Sequence, residues 1–172
     1  PKASERWEDG STNKSLLCNG LRADRQNHPM NCVDWNQAAA HCAAELKRLP
    51  TEAEWEWAAR GGAHGWIYPW GNQQPAERGC WGNGDKAEES PQGTCPVGSH
   101  RGGANPQGVE DLAGNVWEWT ASELEPGSPL RINRGGSWDG NGPERAFSRR
   151  GYAPSTRFYT LGFRCARTAS EP

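Results

Sequence analysis

The 172-residue sequence is short of the features that mark several large protein classes. It has one methionine, three tyrosines, three phenylalanines and four histidines, and only 34% of its residues are apolar. No run approaches the roughly 18 consecutive apolar residues of a membrane-spanning helix, and no apolar segment of signal-peptide type follows Pro1, so membrane insertion is not expected. An excess of either charge is also missing. Nineteen basic against 21 acidic residues leave a net charge of −2 and no electrostatic footprint for nucleic acid or an anionic membrane surface. Long helical patterns are absent because 22 glycines and 13 prolines, roughly a fifth of the chain, interrupt them. What is present in excess is tryptophan: ten indoles supply large apolar area at few positions and offset a mean hydropathy of −0.95. The composition predicts one small, loop-rich domain with an aromatic core.

Six cysteines, Cys18, Cys32, Cys42, Cys80, Cys95 and Cys165, form no Cys-x-x-Cys pair and have few histidines with which to complete a zinc site. Three disulfides are expected, and with them an extracellular, periplasmic or cell-surface location.

The segment 1–28 is polar and turn-rich with no period and reads as an irregular N-terminal stretch, followed by a domain over 29–172. Asp34 is an N-cap for a helix from Trp35 to Leu46, with Ala38, Ala39, Cys42, Ala43 and Leu46 at helical spacing. Thr51-Glu52-Ala53-Glu54 is a capping box that starts a second helix, carrying Trp55, Ala58 and Ala59 and stopping at Gly61-Gly62. From His64 to Pro106 the chain is dominated by Gly, Pro, Asn and Trp and needs fixed points, which Cys80 and Cys95 can provide. Val116 to Thr120, Leu130 to Ser137 and Leu161 to Ala166 read as strands.

Five ordered strings then stand out. They are Arg48-Leu49-Pro50-Thr51-Glu52-Ala53-Glu54-Trp55-Glu56, Tyr68-Pro69-Trp70-Gly71-Asn72, Gly114-Asn115-Val116-Trp117-Glu118-Trp119, Arg134-Gly135-Gly136-Ser137-Trp138 and Leu161-Gly162-Phe163-Arg164-Cys165. In them the chain resembles the formylglycine-generating enzyme, or sulfatase-modifying factor, family. The resemblance implies an α+β fold, the family's variant of the C-type lectin-like fold, with two helices and a small twisted antiparallel sheet. It also implies that the usual N-terminal part of the family domain is missing here.

Fold does not settle function, so the site must decide. In the formylglycine-generating enzymes a copper-binding cysteine pair lies between the Gly-Gly-Ser motif and the arginine-rich strand after it. The matching stretch, Ser137 to Arg145, holds no cysteine, and Asp139 and Asn141 are hard donors unsuited to Cu(I). The expectation is no copper and no formylglycine-generating activity. An oxidoreductase using a different metal is the alternative, but His28, His41, His64 and His100 show no ligand spacing.

The resemblance further implies calcium, held by the Asp111 and Glu118 carboxylates with the carbonyls of Gly114 and Val116, a hard-oxygen set from one tight loop. Against this stands the plainer reading that Asp111 caps a turn and Glu118 pairs with an arginine. A second family calcium site is expected to be lost, since Gly79-Cys80-Trp81 supplies no clear ligand and only Asp85 is nearby. Family resemblance pairs Cys42 with Cys165, while chain order and short-loop logic suggest Cys18 with Cys32 and Cys80 with Cys95. The family's substrate face maps onto Trp138, Asp139, Asn141, Arg145, Arg149, Tyr152, Arg157, Phe158 and Tyr159, a mixture of aromatics and arginine typical of binding hot spots. The expected role is binding of a protein, peptide or glycan ligand, or docking in a larger complex.

Overall fold

A computed structural model describes residues 17–20, 22–75, 77–82, 93–140 and 142–168. Two helices, α1 (Trp35–Ala44) and α2 (Glu52–Ala59), precede four strands, β1 (Trp117–Glu123), β2 (Arg131–Arg134), β3 (Arg149–Tyr152) and β4 (Leu161–Phe163). The strands form one sheet in the order β3-β2-β1-β4.

Both helices begin as the sequence predicts. The Asp34 carboxylate accepts the Gln37 N–H at 2.8 Å, and the Gln37 side chain accepts the Asp34 N–H. Thr51 and Glu54 exchange the same pair of bonds at α2. Ala38 and Cys42 point α1 into the core, whereas Leu46 is 89% exposed and lies outside the helix. The Lys47 N–H bonds the Cys42 carbonyl and the Leu46 N–H bonds that of Ala43, a Schellman closure with Leu46 at φ +55°. A non-glycine residue at this position conceals the stop from sequence reading. At the end of α2, Gly61 has φ +68°, and a Cβ there would come within 2.5 Å of the Trp66 ring.

The sheet is mixed, which corrects the expectation of an antiparallel one. β1 pairs antiparallel with β2, and β2 with β3, but β4 runs parallel to β1 with Glu118 opposite Gly162. Parallel neighbours require a crossover. Residues 153–160 provide it, passing α1, where Arg157 bonds the Asp34 carboxylate at 2.6 Å. β2 stops at Arg134, short of the expected Ser137, because Gly135 and Gly136 turn out of extended backbone at φ +100° and +77°. β3 has no alternation of apolar and polar side chains and is defined by its pairing to β2.

Strand β1 separates two clusters. Trp117 and Trp119 pack with Ala38, Cys42, Leu49 and Leu161, joined by Tyr152, Phe158 and Phe163. Trp55, Ala59, Leu112 and Ala146 form the second cluster beneath α2. The disulfides are Cys18–Cys32, Cys42–Cys165 and Cys80–Cys95, as expected. Cys42–Cys165 spans 123 residues and ties α1 to the end of β4, a closure worth about 5 kcal/mol in the chain-entropy view.

The α2 cap is directly testable. Arg48 and the Thr51 N–H hold Glu54 down to a pKa of about 2, from an ordinary 4.5. A depressed carboxyl stabilises the fold above its unfolded value, and that contribution disappears as pH falls towards the folded one. Glu54→Gln should therefore flatten the stability profile between pH 4.5 and 2. Thr51→Ala should cost about 1 kcal/mol in urea unfolding, and an unchanged midpoint would remove the cap from the account.

Candidate functional site

Two groups of predicted residues can be followed in space. The first is the loop entering β1. Asp111, Gly114 and Asn115 all have positive φ, at +56°, +86° and +63°, so the chain folds back on itself within five residues. Asn115 is buried and joins this loop to both ends of the Cys80–Cys95 disulfide. Its N–H bonds the Cys80 carbonyl at 2.8 Å, its side-chain oxygen accepts the Cys95 N–H, and its amide nitrogen donates to the Cys95 carbonyl. Gly114 is required because a Cβ there would lie 2.5 Å from the Cys80 carbonyl oxygen.

Glu118 is 4% exposed, and Arg164 grips both of its carboxylate oxygens at 2.5 and 2.6 Å while Trp55 donates its indole N–H at 2.6 Å. The same guanidinium bonds the carbonyls of Glu110 and Asp111, each at 3.1 Å. The Asp111 carboxylate accepts the Gly98 N–H at 2.8 Å. Burial pushes its carboxyl above the ordinary range, against the opposing pull of that N–H and of Arg164. Glu110, Asp111, Glu118 and Arg164 line a cavity of about 310 Å³, together with Gly98, Asn115 and Val116. Among the described residues no three acidic, histidine or cysteine side chains converge as a metal cluster, so any cation would draw on mixed carboxylate and carbonyl donors.

The second group, the predicted binding face, divides. Trp138, Asp139 and Tyr159 meet: the two rings lie 5.7 Å apart, and Asp139 accepts the Ser137 hydroxyl at 2.6 Å and the Tyr159 hydroxyl at 3.4 Å. The Trp138 indole N–H is buried and has no partner among the described residues. Asn141 lies outside the described residues, as does Asp85. Arg149 lies beside α2, bonded to Glu52 and Glu125. Arg145 is exposed with its guanidinium 5.8 Å from the Phe147 ring centre. Arg157 is held at the N-cap of α1, and Tyr152 and Phe158 pack edge to face at 5.3 Å against the core. The histidines are scattered: His28 contacts Thr94, His41 the edge of Phe163, His64 the face of Trp66 and His100 the Ser99 hydroxyl.

Against known proteins, the family model described as the sulfatase-modifying factor enzyme 1-like domain matches residues 4–169. The chain belongs to this family. It is 46% identical over 165 residues to the Mus musculus protein named inactive C-alpha-formylglycine-generating enzyme 2, covering 89% of this chain and 53% of that protein. The chain thus spans about half the length of the curated relatives it matches. Among solved structures it resembles CarF, with TM-score 0.68 and 25% identity over 87% of this chain and 70% of CarF. It also resembles PvdO from Pseudomonas aeruginosa, with TM-score 0.66 and 27% identity over 80% and 60% of the two chains.

For a sulfatase-modifying factor domain, the cysteine accounting is decisive chemistry. All six cysteines of the sequence are paired and none is free. Three such bridges place the module in an oxidising, non-cytosolic compartment. Glu118 pairs with an arginine, as the plainer sequence reading has it, but nothing in the string names Arg164 as that partner, and the Asn115 link to the disulfide has no local signal.

Arg164→Met should cost about 3–5 kcal/mol in urea unfolding, because it strands a buried carboxylate. Adding Glu118→Gln to that variant should recover part of the loss. A single variant as stable as the parent would mean that solvent reaches Glu118 and the pair contributes little.

Proposed function

We propose that this chain is a non-catalytic, calcium-stabilised, disulfide-linked sulfatase-modifying-factor module that binds a protein, peptide or glycan ligand, or docks in an extracellular assembly. The observation that carries the reading is the absence of any thiol: every cysteine is in a disulfide, and Ser137 to Arg145 contains none. Without a thiolate pair the copper chemistry of the active enzymes has no ligands. The similarity to a relative named inactive supports the same reading. The stretch without cysteine supplies Trp138 and Asp139 instead, which meet Tyr159, and the buried Trp138 indole N–H has no acceptor among the described residues. Aromatic rings flanked by one carboxylate suit recognition better than turnover.

The 111–118 loop fits calcium in its donor chemistry. Asp111 has a half-buried carboxylate with a single N–H partner among the described residues, and Glu118 is partly neutralised by Arg164 but keeps acceptor capacity on Oε1. With the Gly114 and Val116 carbonyls these are hard oxygens from one rigid loop. The ion would supply charge neutralisation and cross-linking of the loop. Because the folded pKa of Asp111 lies above its unfolded value, this residue withdraws stability as pH rises through that range, and a bound cation offsets the penalty.

Three measurements follow. Purified protein given copper, a thiol reductant and oxygen should leave a sulfatase-motif peptide unconverted; aldehyde formation would overturn the non-catalytic reading. Calcium at about ten times its Kd should add about 1.4 kcal/mol and raise Tm by roughly 3–5 °C over protein in chelator. A Tm that ignores calcium would sink the metal assignment. Ligands drawn from a glycan array and a peptide library should lose at least about tenfold in affinity on Trp138→Ala or Asp139→Ala, with Tm unchanged. Affinity that survives both changes would place the binding face elsewhere.

A further inference from the structure

We infer that Glu110 supplies the second net negative charge that matches the loop entering β1 to a divalent cation, an inference that rests on the calcium reading above. Three carboxylates and one guanidinium line the cavity: Glu110, Asp111, Glu118 and Arg164. Arg164 is engaged with Glu118 through both oxygens, so these two charges cancel locally. Asp111 and Glu110 remain, and together they carry the charge that a dication neutralises.

Gly98 brings the two together. Its N–H bonds the Asp111 carboxylate at 2.8 Å, and a Cβ on the same residue would collide with Glu110 Oε2. A side chain at position 98 would displace the Glu110 carboxylate, and the backbone there, at φ +67°, favours glycine as well. Among the described residues the Glu110 carboxylate has no ion-pair or hydrogen-bond partner, although its own main-chain carbonyl accepts a bond from Arg164. Two like charges are therefore held against one glycine with a single N–H between them. This arrangement costs stability when no cation is bound and strengthens attraction when one is. Glu110 acts as a positioning charge beside the donors.

The test is calorimetric titration of calcium chloride into the full chain, with parallel melts in chelator, for the parent, Glu110→Gln and Asp111→Asn. Removing a unit of negative charge from beside a dication weakens their Coulomb attraction. Glu110→Gln should bind calcium about tenfold more weakly and melt higher than the parent in chelator, which also shows that the variant folds. Asp111→Asn should abolish binding. Equal calcium affinity in the parent and Glu110→Gln, or a Glu110→Gln melt in chelator no higher than the parent's, overturns the role of Glu110 and leaves the calcium reading intact. A parent protein that binds no calcium overturns both.

Discussion

Glu118 is a carboxylate at the centre of a small protein, and the surrounding architecture keeps it from being left alone there. An unpaired charge at 4% exposure would be intolerable, so the fold brings Arg164 from the chain just beyond β4 to both oxygens and the Trp55 indole from α2 to Oε2. That requirement helps to explain the parallel placement of β4. Glu118 pairs with Gly162, and the residue two beyond that glycine is the arginine that must reach back to the carboxylate. The Arg164 Nη2 that meets Glu118 Oε1 also bonds the Glu110 and Asp111 carbonyls, so one ion pair orders the sheet, the helix and the loop beside it.

Tryptophan explains how a chain with so few apolar residues builds a core at all. Three of the indoles contribute area and also spend their N–H on a defined acceptor: Trp35 on the Thr120 carbonyl, Trp119 on the Val33 carbonyl and Trp55 on Glu118. The first two couple the entry of α1 to β1 from opposite directions. Arg134, fully buried, follows the same logic from the charged side, lying over the Trp55 ring and bonding Glu56 and the Ser148 carbonyl. Directional bonds thus replace part of what a larger hydrocarbon core would supply, and the disulfides constrain the irregular segments that have no such anchors.

How much was legible in advance depended on whether the cause was local. Capping boxes are satisfied within four residues, so Asp34 and Thr51 announced both helices. The alternation of Trp117, Glu118, Trp119 and Thr120 announced β1, with opposite faces serving opposite clusters. Leu46 misled because a side chain at helical spacing says nothing of a left-handed backbone one turn later. β3 escaped periodicity because Arg149 and Arg150 are exposed and pair with Glu52, Glu125 and Glu144, Arg150 covering the Trp117 ring with a guanidinium where an apolar side chain would have given a signal.

The site divides along the same line. Sequence alone determined that no cysteine stands in the stretch from Ser137 to Arg145, that the carboxylates of the 111–118 loop are present, and that the six cysteines are even in number, because these are facts of composition and order. Tertiary structure decided which of the nine proposed face residues meet. It gathered Trp138, Asp139 and Tyr159 and sent Arg149 to α2 and Arg157 to the cap of α1. It also decided that Glu118 is held by Arg164 and that Asn115 fastens the loop to Cys80 and Cys95. Those pairings join residues 20 to 123 positions apart, and the free energy that selects a partner at such distances depends on burial and geometry that exist only after the chain has folded.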